Sequence, residues 1–297
     1  MLNLRKDNYK LLYDFDVDKT YSIKLGKIKK GQKISILSDT MLKAMFQNSN
    51  RIKYSVKFLS YFLDISYEEL LKNIHLGKNE LDKEKEIEKG QRCDYVAVID
   101  NTSLNIEVNN NSNKEVMERN MEYAHRLYAK KIKRGEKEYE YTQVIQFNLN
   151  NFSFKGNDKI VDIYTIQNNE GIRLNNKLIF VQIYVPNLRK KWYNEGIESL
   201  SEEEKYILSL VEVEMDNLKE LGDDIIMNEY IEEAEEVSFE EGLGEAYDKE
   251  WALKDEGKRE GLLDSKKEIA RNMLNKNMEV NLISELTGLS LEDINCL

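Results

Sequence analysis

The sequence predicts a mixed α/β domain followed by an acidic, all-helical region, and three observations carry that prediction. Residues 1–200 alternate stretches of helical spacing with short runs rich in Val, Ile and Tyr. From Ser201 to Leu297 no strand-like run is found. The charge turns over at the same place: residues 1–200 carry a net +7 and residues 201–297 a net −18, which together make the −11 of the chain. At 297 residues, 41% hydrophobic, the chain can build a sizeable core, and at roughly 150 residues per domain it suggests two domains. The boundaries read from the charge are 1–200 and 201–297.

The elements follow in order. Between Asp39 and Leu63 the apolar residues Met41, Leu42, Met45, Phe46, Ile52, Val56, Leu59, Phe62 and Leu63 recur at helical spacing and predict one or two helices. Ser66-Tyr67-Glu68-Glu69 has the form of a capping box opening a short helix, Tyr67 to Asn73. Lys78 to Gly90 is charged and predicts a surface connection. Arg92 to Asp100 and Ser103 to Asn109 then read as two strands of a hairpin turning at Asn101-Thr102. A helix is expected from Lys114 to Arg134, ending near Gly135. Three strands are expected after it, at Tyr141–Phe152, Lys159–Gln167 and Leu178–Val185, the last closed by Pro186, the only proline.

In the acidic region Ser201-Glu202-Glu203-Glu204 repeats the capping-box form. A long helix through Asp223 to Trp251 is expected to be weak or broken, because Gly242, Gly244, Gly257 and Gly261 follow closely. Glu279 to Asn295 has the outline of a small helix-turn-helix around Thr287-Gly288, with Ser290 placed to cap its second helix.

Composition excludes several chemistries. Only His75 and His125 exist, and no HExxH, GxSxG, GxxxxGK[ST] or GxGxxG pattern occurs, so zincin, serine hydrolase, P-loop and dinucleotide-binding readings fall. Cys93 and Cys296 lie far apart without metal-ligand spacing, which fits a reducing, cytoplasmic setting. No signal-peptide pattern opens the chain, and nowhere do about 18 uncharged apolar residues run together, so no membrane partner is expected. Carboxylates, amides and lysines remain, the materials of sites that bind hard cations through oxygen.

The hairpin concentrates them. With Asn101-Thr102 as a two-residue loop, Asp94 lies opposite Asn109, and Glu107 lies opposite Val96. Paired residues and i, i+2 neighbours share a face, so Asp94, Glu107 and Asn109 point to one side of the sheet, the two carboxylates being diagonal neighbours about 7–8 Å apart at Cβ. A three-residue loop would flip one strand and destroy the arrangement. Strand alternation places Cys93 on the opposite side. Because Val96, Val98, Ile99, Leu104 and Ile106 suggest a largely buried sheet, two unpaired carboxylates would be costly there, and a bound Mg²⁺ is one way to offset that cost.

An Asp and a Glu on adjacent strands followed by a helix resembles the PD-(D/E)XK nuclease superfamily, and the surroundings resemble its recombination-promoting nuclease and putative transposase branch. Ser38-Asp39-Thr40-Met41-Leu42-Lys43-Ala44-Met45-Phe46 matches that branch's opening helix, and Asp94 and Ile106-Glu107-Val108-Asn109 match its acidic strands. Arg119 and Tyr123 then match an Arg and Tyr on a helix, Gly135, Tyr139 and Tyr141 lead to Val144-Ile145-Gln146-Phe147, and the tail matches at Lys267 to Leu274 and Leu286 to Ser290.

The resemblance implies a restriction-endonuclease-like mixed sheet flanked by helices. It further implies Mg²⁺ or Mn²⁺ held by Asp94, Glu107 and the carbonyl of Val108, with Asp39 approaching from the first helix and DNA as substrate. Asn109 departs from the pattern, since the superfamily has Lys there and the branch Gln. A neutral amide supplies no charge, so Lys43 or Arg119 takes that role or turnover falls. The function expected is metal-dependent DNA endonuclease activity in recombination or transposition. The alternative is a catalytically weakened module of the same fold that binds DNA or a protein partner. Ile225, Ile226, Tyr230, Ile231, Ala234 and Val237 form a stripe that could join copies of the chain as a homo-oligomer.

Overall fold

The computed structural model describes residues 16–20, 28–81, 92–112, 114–129, 142–222, 224–240, 242–276 and 278–297. It divides into two compact units, Met1–Gly244 and Glu245–Leu297. In chain order the first unit holds β1 (Val17–Thr20), α1 (Asp39–Phe46), α2 (Ile52–Ser60), α3 (Tyr67–Asn73), β2 (His75–Leu76), β3 (Tyr95–Ile99), β4 (Thr102–Asn109) and α4 (Lys114–Tyr128). There follow β5 (Gln143–Asn150), β6 (Phe152–Phe154), β7 (Val161–Thr165), β8 (Leu178–Tyr184), α5 (Val185–Glu195), α6 (Glu202–Val211), α7 (Met215–Leu218) and α8 (Ile225–Ser238). The predicted α/β alternation is present, and the start of α3 is held by Ser66, whose hydroxyl accepts from the Glu69 N–H.

The main sheet has six strands in the order β2-β3-β4-β5-β8-β7, and β1 pairs with β6 in a separate two-stranded sheet. β4, β5 and β8 run parallel, whereas β2 and β3 on one side and β7 on the other join antiparallel. The parallel step from β4 to β5 needs a crossover, and α4 lies within it.

The two faces of this sheet differ in chemistry. Tyr95, Leu104, Ile106, Phe147, Leu149 and Ile183 point to one side and are buried. Phe46 of α1 meets the Tyr95 ring edge-on at 5.9 Å, and Phe58 and Phe62 flank Phe147 at 5.7 and 5.3 Å. Of these rings Phe46, Phe58, Tyr95 and Phe147 are fully buried, and each such ring contributes roughly 1.5–3 kcal/mol. On the other side α4 covers the sheet, with Tyr123 packed on Val96 and Ala124 on Val144 and Leu178.

The seam in packing does not coincide with the seam in charge. Residues 201–244 fold with the sheet: Tyr206 of α6 donates to the Tyr54 carbonyl at 2.8 Å, and Tyr230 of α8 lies edge-on to Tyr54 at 5.3 Å. Arg51, Lys53 and Lys57 pair with Glu233, Glu229 and Asp224, each at 2.6 Å, so part of the basic half is neutralised by part of the acidic half. This corrects the expected stripe for self-association, because Tyr230, Ile231, Ala234 and Val237 are buried inside the unit. Beneath the same helices Lys33 is fully buried, its ammonium 3.3 Å from the Leu210 carbonyl and 5.4 Å from the centre of the Tyr230 ring.

The helix expected through Trp251 is broken where the glycines begin, at Gly242, which takes φ +91. α9 (Leu243–Leu274) then runs unbroken past Gly257 and Gly261. In the second unit α10 (Val280–Thr287) and α11 (Leu291–Asn295) form the anticipated helix pair, turning at the left-handed Gly288 with Ser290 in a full capping box. Ala270, Ile283, Leu289 and Ile294 make its core. Among the described residues no helix is long and apolar enough to cross a membrane.

Candidate active site

The hairpin turns one residue earlier than its sequence suggests. Ile99 pairs with Thr102, so Asp100 and Asn101 form the loop, and Asp100 takes φ +49. Asp is among the few residues that accept this left-handed conformation, which the Asn101-Thr102 expectation did not consider. Moving the turn by one residue shifts the register by two, so faces are preserved. The ladder ends at Tyr95↔Ile106, so Asp94 and Glu107 stand just beyond it, brought together by side-chain-to-backbone bonds rather than by strand pairing.

The two acids are bonded to each other's strands. The Asp94 N–H donates to Glu107 Oε1 at 3.2 Å, and the Val108 N–H donates to Asp94 Oδ2 at 2.9 Å. Since the N–H and C=O of one strand residue point to the same edge, the Val108 carbonyl also faces the Asp94 side. The Asp94 carbonyl is held from behind by the Gln47 amide and by Asn79 Nδ2 at 3.4 Å. Gln47 follows α1 directly, and Asn79 follows β2. Neither amide is prominent in sequence, because each lies far from the acid it supports.

Electrostatics mark the pair. Burial pushes the Asp94 carboxyl up from 3.8 to about 6; the Asp39 charge acts in the same sense, while the Val108 N–H, Arg119 and Lys43 oppose it. Glu107, 1% exposed, is held well above the ordinary carboxylate range, first by burial and then by the charge of Asp94. Asp39 opens α1 and is ion-paired with Lys43 one turn on. Asn110 Nδ2, 3.3 Å from the Leu37 carbonyl, ties the end of β4 to the segment that starts α1. Arg119 stacks on the Tyr123 ring at 5.7 Å, and its charge reaches both Asp94 and Glu107.

Cys93 requires a correction. It lies on the α4 side with Val96 and Tyr123, and Glu107 acts on its thiol directly. Alternation begins only at Tyr95, so it could not be extended to residue 93. His75 and His125 are exposed, and Gly135, Tyr139 and Tyr141 lie outside the described residues.

Asn109 shares the face of Glu107 on β4, but both ends of its amide are engaged. Nδ2 donates to Asn150 Oδ1 at 3.0 Å, and Oδ1 accepts from Asn120 Nδ2 at 3.0 Å. The bonds continue across β4, β5 and β8. Asn105 donates to Gln146 at 3.2 Å, Gln146 to Asn148 at 3.1 Å, Asn120 to Asn148 at 3.0 Å and Asn150 to Gln182 at 2.8 Å. All seven amides are buried, Asn120 being on α4 itself. The signal was present in sequence, as Asn105-x-Glu107-x-Asn109 and Gln146-x-Asn148-x-Asn150, but a polar residue at every second position reads as a solvent-facing strand.

Among the described residues no group of three or more His, Cys, Asp or Glu is arranged to hold a metal ion. What the hairpin offers is two carboxylates and a backbone carbonyl. No curated protein and no solved structure matches the chain. Residues 264–297 match the family described as Rpn/YhgA-like nuclease family, C-terminal HTH domain, over the helix pair of the second unit. Residues 36–259 match PD-(D/E)XK nuclease family transposase, a span that takes in α1, the acidic hairpin, α4 and the parallel strands. With that match covering most of its length, and a mixed sheet carrying an Asp and a Glu on paired strands, the chain belongs to the PD-(D/E)XK nuclease family transposases.

Proposed function

We propose that the chain is a metal-dependent DNA endonuclease acting in recombination or transposition, with Asp94 and Glu107 as its central acids. The observation that carries the reading is a buried Glu107 and a half-buried Asp94 whose carboxylates are each held by the other strand's backbone N–H, both kept above their ordinary range. Two such groups are a costly arrangement for a fold that makes no use of them, and a hard divalent cation is the partner that relieves it. The donor set fits Mg²⁺ or Mn²⁺. Asp94, Glu107 and the Val108 carbonyl supply few protein ligands, and Mg²⁺ commonly keeps waters and substrate phosphate in the remaining positions.

When bound, such an ion lowers the pKa of a water and offsets charge developing on a phosphodiester. The chain's own residues do the rest. Asp94 is aimed by the Val108 N–H, and Glu107 by the Asp94 N–H. Asp39 opens α1 and Lys43 lies one turn on, where the carboxylate can orient a water and the ammonium can face a phosphate. Arg119, exposed and stacked on Tyr123, supplies the positive charge that Asn109 lacks. A reducing cytoplasmic setting suits the free thiols of Cys93 and Cys296.

The test is cleavage of plasmid DNA with Mg²⁺, with Mn²⁺ or with EDTA. Metal-dependent nicking by the wild type, lost in folded Asp94→Ala and Glu107→Ala proteins, is the expected result. One observation favours a second reading, a module that binds DNA or a protein partner without turnover: the amide of Asn109 is consumed within its own network. Absence of cleavage by folded wild type across several substrates would select it.

A further inference from the structure

We infer that Asn105 and Asn120, on β4 and α4, are positioning residues for the acidic pair, holding Glu107 through a chain of buried amides. The inference rests on the metal-site reading above and deepens it. Asn105 lies two residues before Glu107 on the same face of β4, where its amide eases the charge of the Glu107 carboxylate, and its Nδ2 donates to Gln146 at 3.2 Å. Gln146 donates to Asn148 at 3.1 Å, and Asn120 ends the chain by donating to both Asn148 and Asn109 at 3.0 Å. Three hydrogen bonds thus connect a helix residue to the same-face neighbour of Glu107, and a fourth connects it to Asn109, two positions beyond the carboxylate.

The chain is not accounted for by stability. Asn105 Oδ1, Asn120 Oδ1 and Asn148 Nδ2 are buried without a protein partner, so the network leaves polar atoms desolvated that an apolar layer would not. Its order is what it provides. Each amide has its rotamer set by the next, and the last one faces a carboxylate that must keep one oxygen free of the Asp94 N–H. Partners of this kind around metal-binding carboxylates commonly change affinity by about 10- to 100-fold when removed.

The experiment is calorimetric titration of Mn²⁺ into the full-length protein, comparing wild type, Asn105→Leu, Asn120→Leu and the double variant, with melting in EDTA as the check on folding. Leu keeps the branching of Asn while removing its donor and acceptor, and melting shows whether its larger methyls are accommodated. Each single variant is expected to bind Mn²⁺ at least about 10-fold more weakly. The double variant is expected to be no weaker than Asn105→Leu, because both act through one chain. Wild-type affinity in either folded single variant would overturn the inference and leave the metal site standing. Additive losses in the double variant would also overturn it. Failure of both single variants to fold would assign the amides to the core, which is a third contrary result. No Mn²⁺ binding by the wild type would instead bring down the metal-site reading, and this inference with it.

Discussion

Replacing Asp94 by Asn removes a charge that the metal-free fold holds at a cost. The Asp94 carboxyl moves from 3.8 to about 6, chiefly through burial. At about 1.36 kcal/mol per pKa unit this corresponds to about 3 kcal/mol, and solvent at the partly open side of the group reduces it to about 2 kcal/mol. The folded pKa is raised, so below 3.8 both states carry the proton and the charge costs nothing. Between 3.8 and about 6 the folded state binds more protons than the unfolded, and stability falls as pH rises. Above about 6 the full cost is present. Asn can still accept from the Val108 N–H, so the substitution removes the charge and keeps the bond. Urea unfolding in EDTA, followed by circular dichroism from pH 4 to 8, should find Asp94→Asn close to wild type at the acid end and more stable by about 2 kcal/mol at pH 7.5. Relief of Glu107, which Asp94 also raises, adds in the same direction. A pH-independent difference, or a variant less stable than wild type at pH 7.5, would refute the reasoning.

Three further outcomes follow from the same structure. Lys33 is fully buried, and burial lowers its pKa to about 7, so the unfolded state binds more protons between about 7 and 10.5 and stability should rise with pH in that window; Lys33→Met should abolish the rise in urea titrations. Asn109→Lys, which returns the superfamily's residue, should cost on the order of 3 kcal/mol in chemical denaturation, because it breaks the two amide bonds of Asn109 and sets an ammonium under α4. Cutting the chain after Leu200 should leave an unfolded or aggregated product by circular dichroism and size exclusion, whereas cutting after Gly244 should leave the sheet folded, since Tyr206 and Tyr230 complete its core.

The elements legible in the sequence were those whose local signal and tertiary role agree. Tyr67–Asn73 is helical over the predicted span because its cap and its buried Leu70 act together. The face shared by Glu107 and Asn109 survived a misplaced turn because strand periodicity tolerates a register shift of two. Elsewhere the local pattern did not determine the packing. Gln146, Asn148 and Asn150 alternate with apolar residues as on a wet strand, yet α4 lies over them, and only tertiary placement distinguishes a buried amide row from an exposed one. The charge count located a real change in composition at Ser201. It could not reveal that Glu229 and Glu233 reach back to Lys53 and Arg51, more than 170 residues earlier in the chain.

The two-residue turn at Asp100-Asn101 also bears on how this chain can change over evolutionary time. The turn stands about five strand residues, roughly 17 Å, from the acids, and nothing at its tip takes part in chemistry. Loop tips normally tolerate gained or lost residues well. Here a single-codon insertion or deletion would rotate one acid to the far side of the sheet while leaving both codons intact. Surviving length variation at this tip should therefore come in pairs of residues, and a lineage carrying an odd change there should behave as if it had lost Asp94 or Glu107 itself.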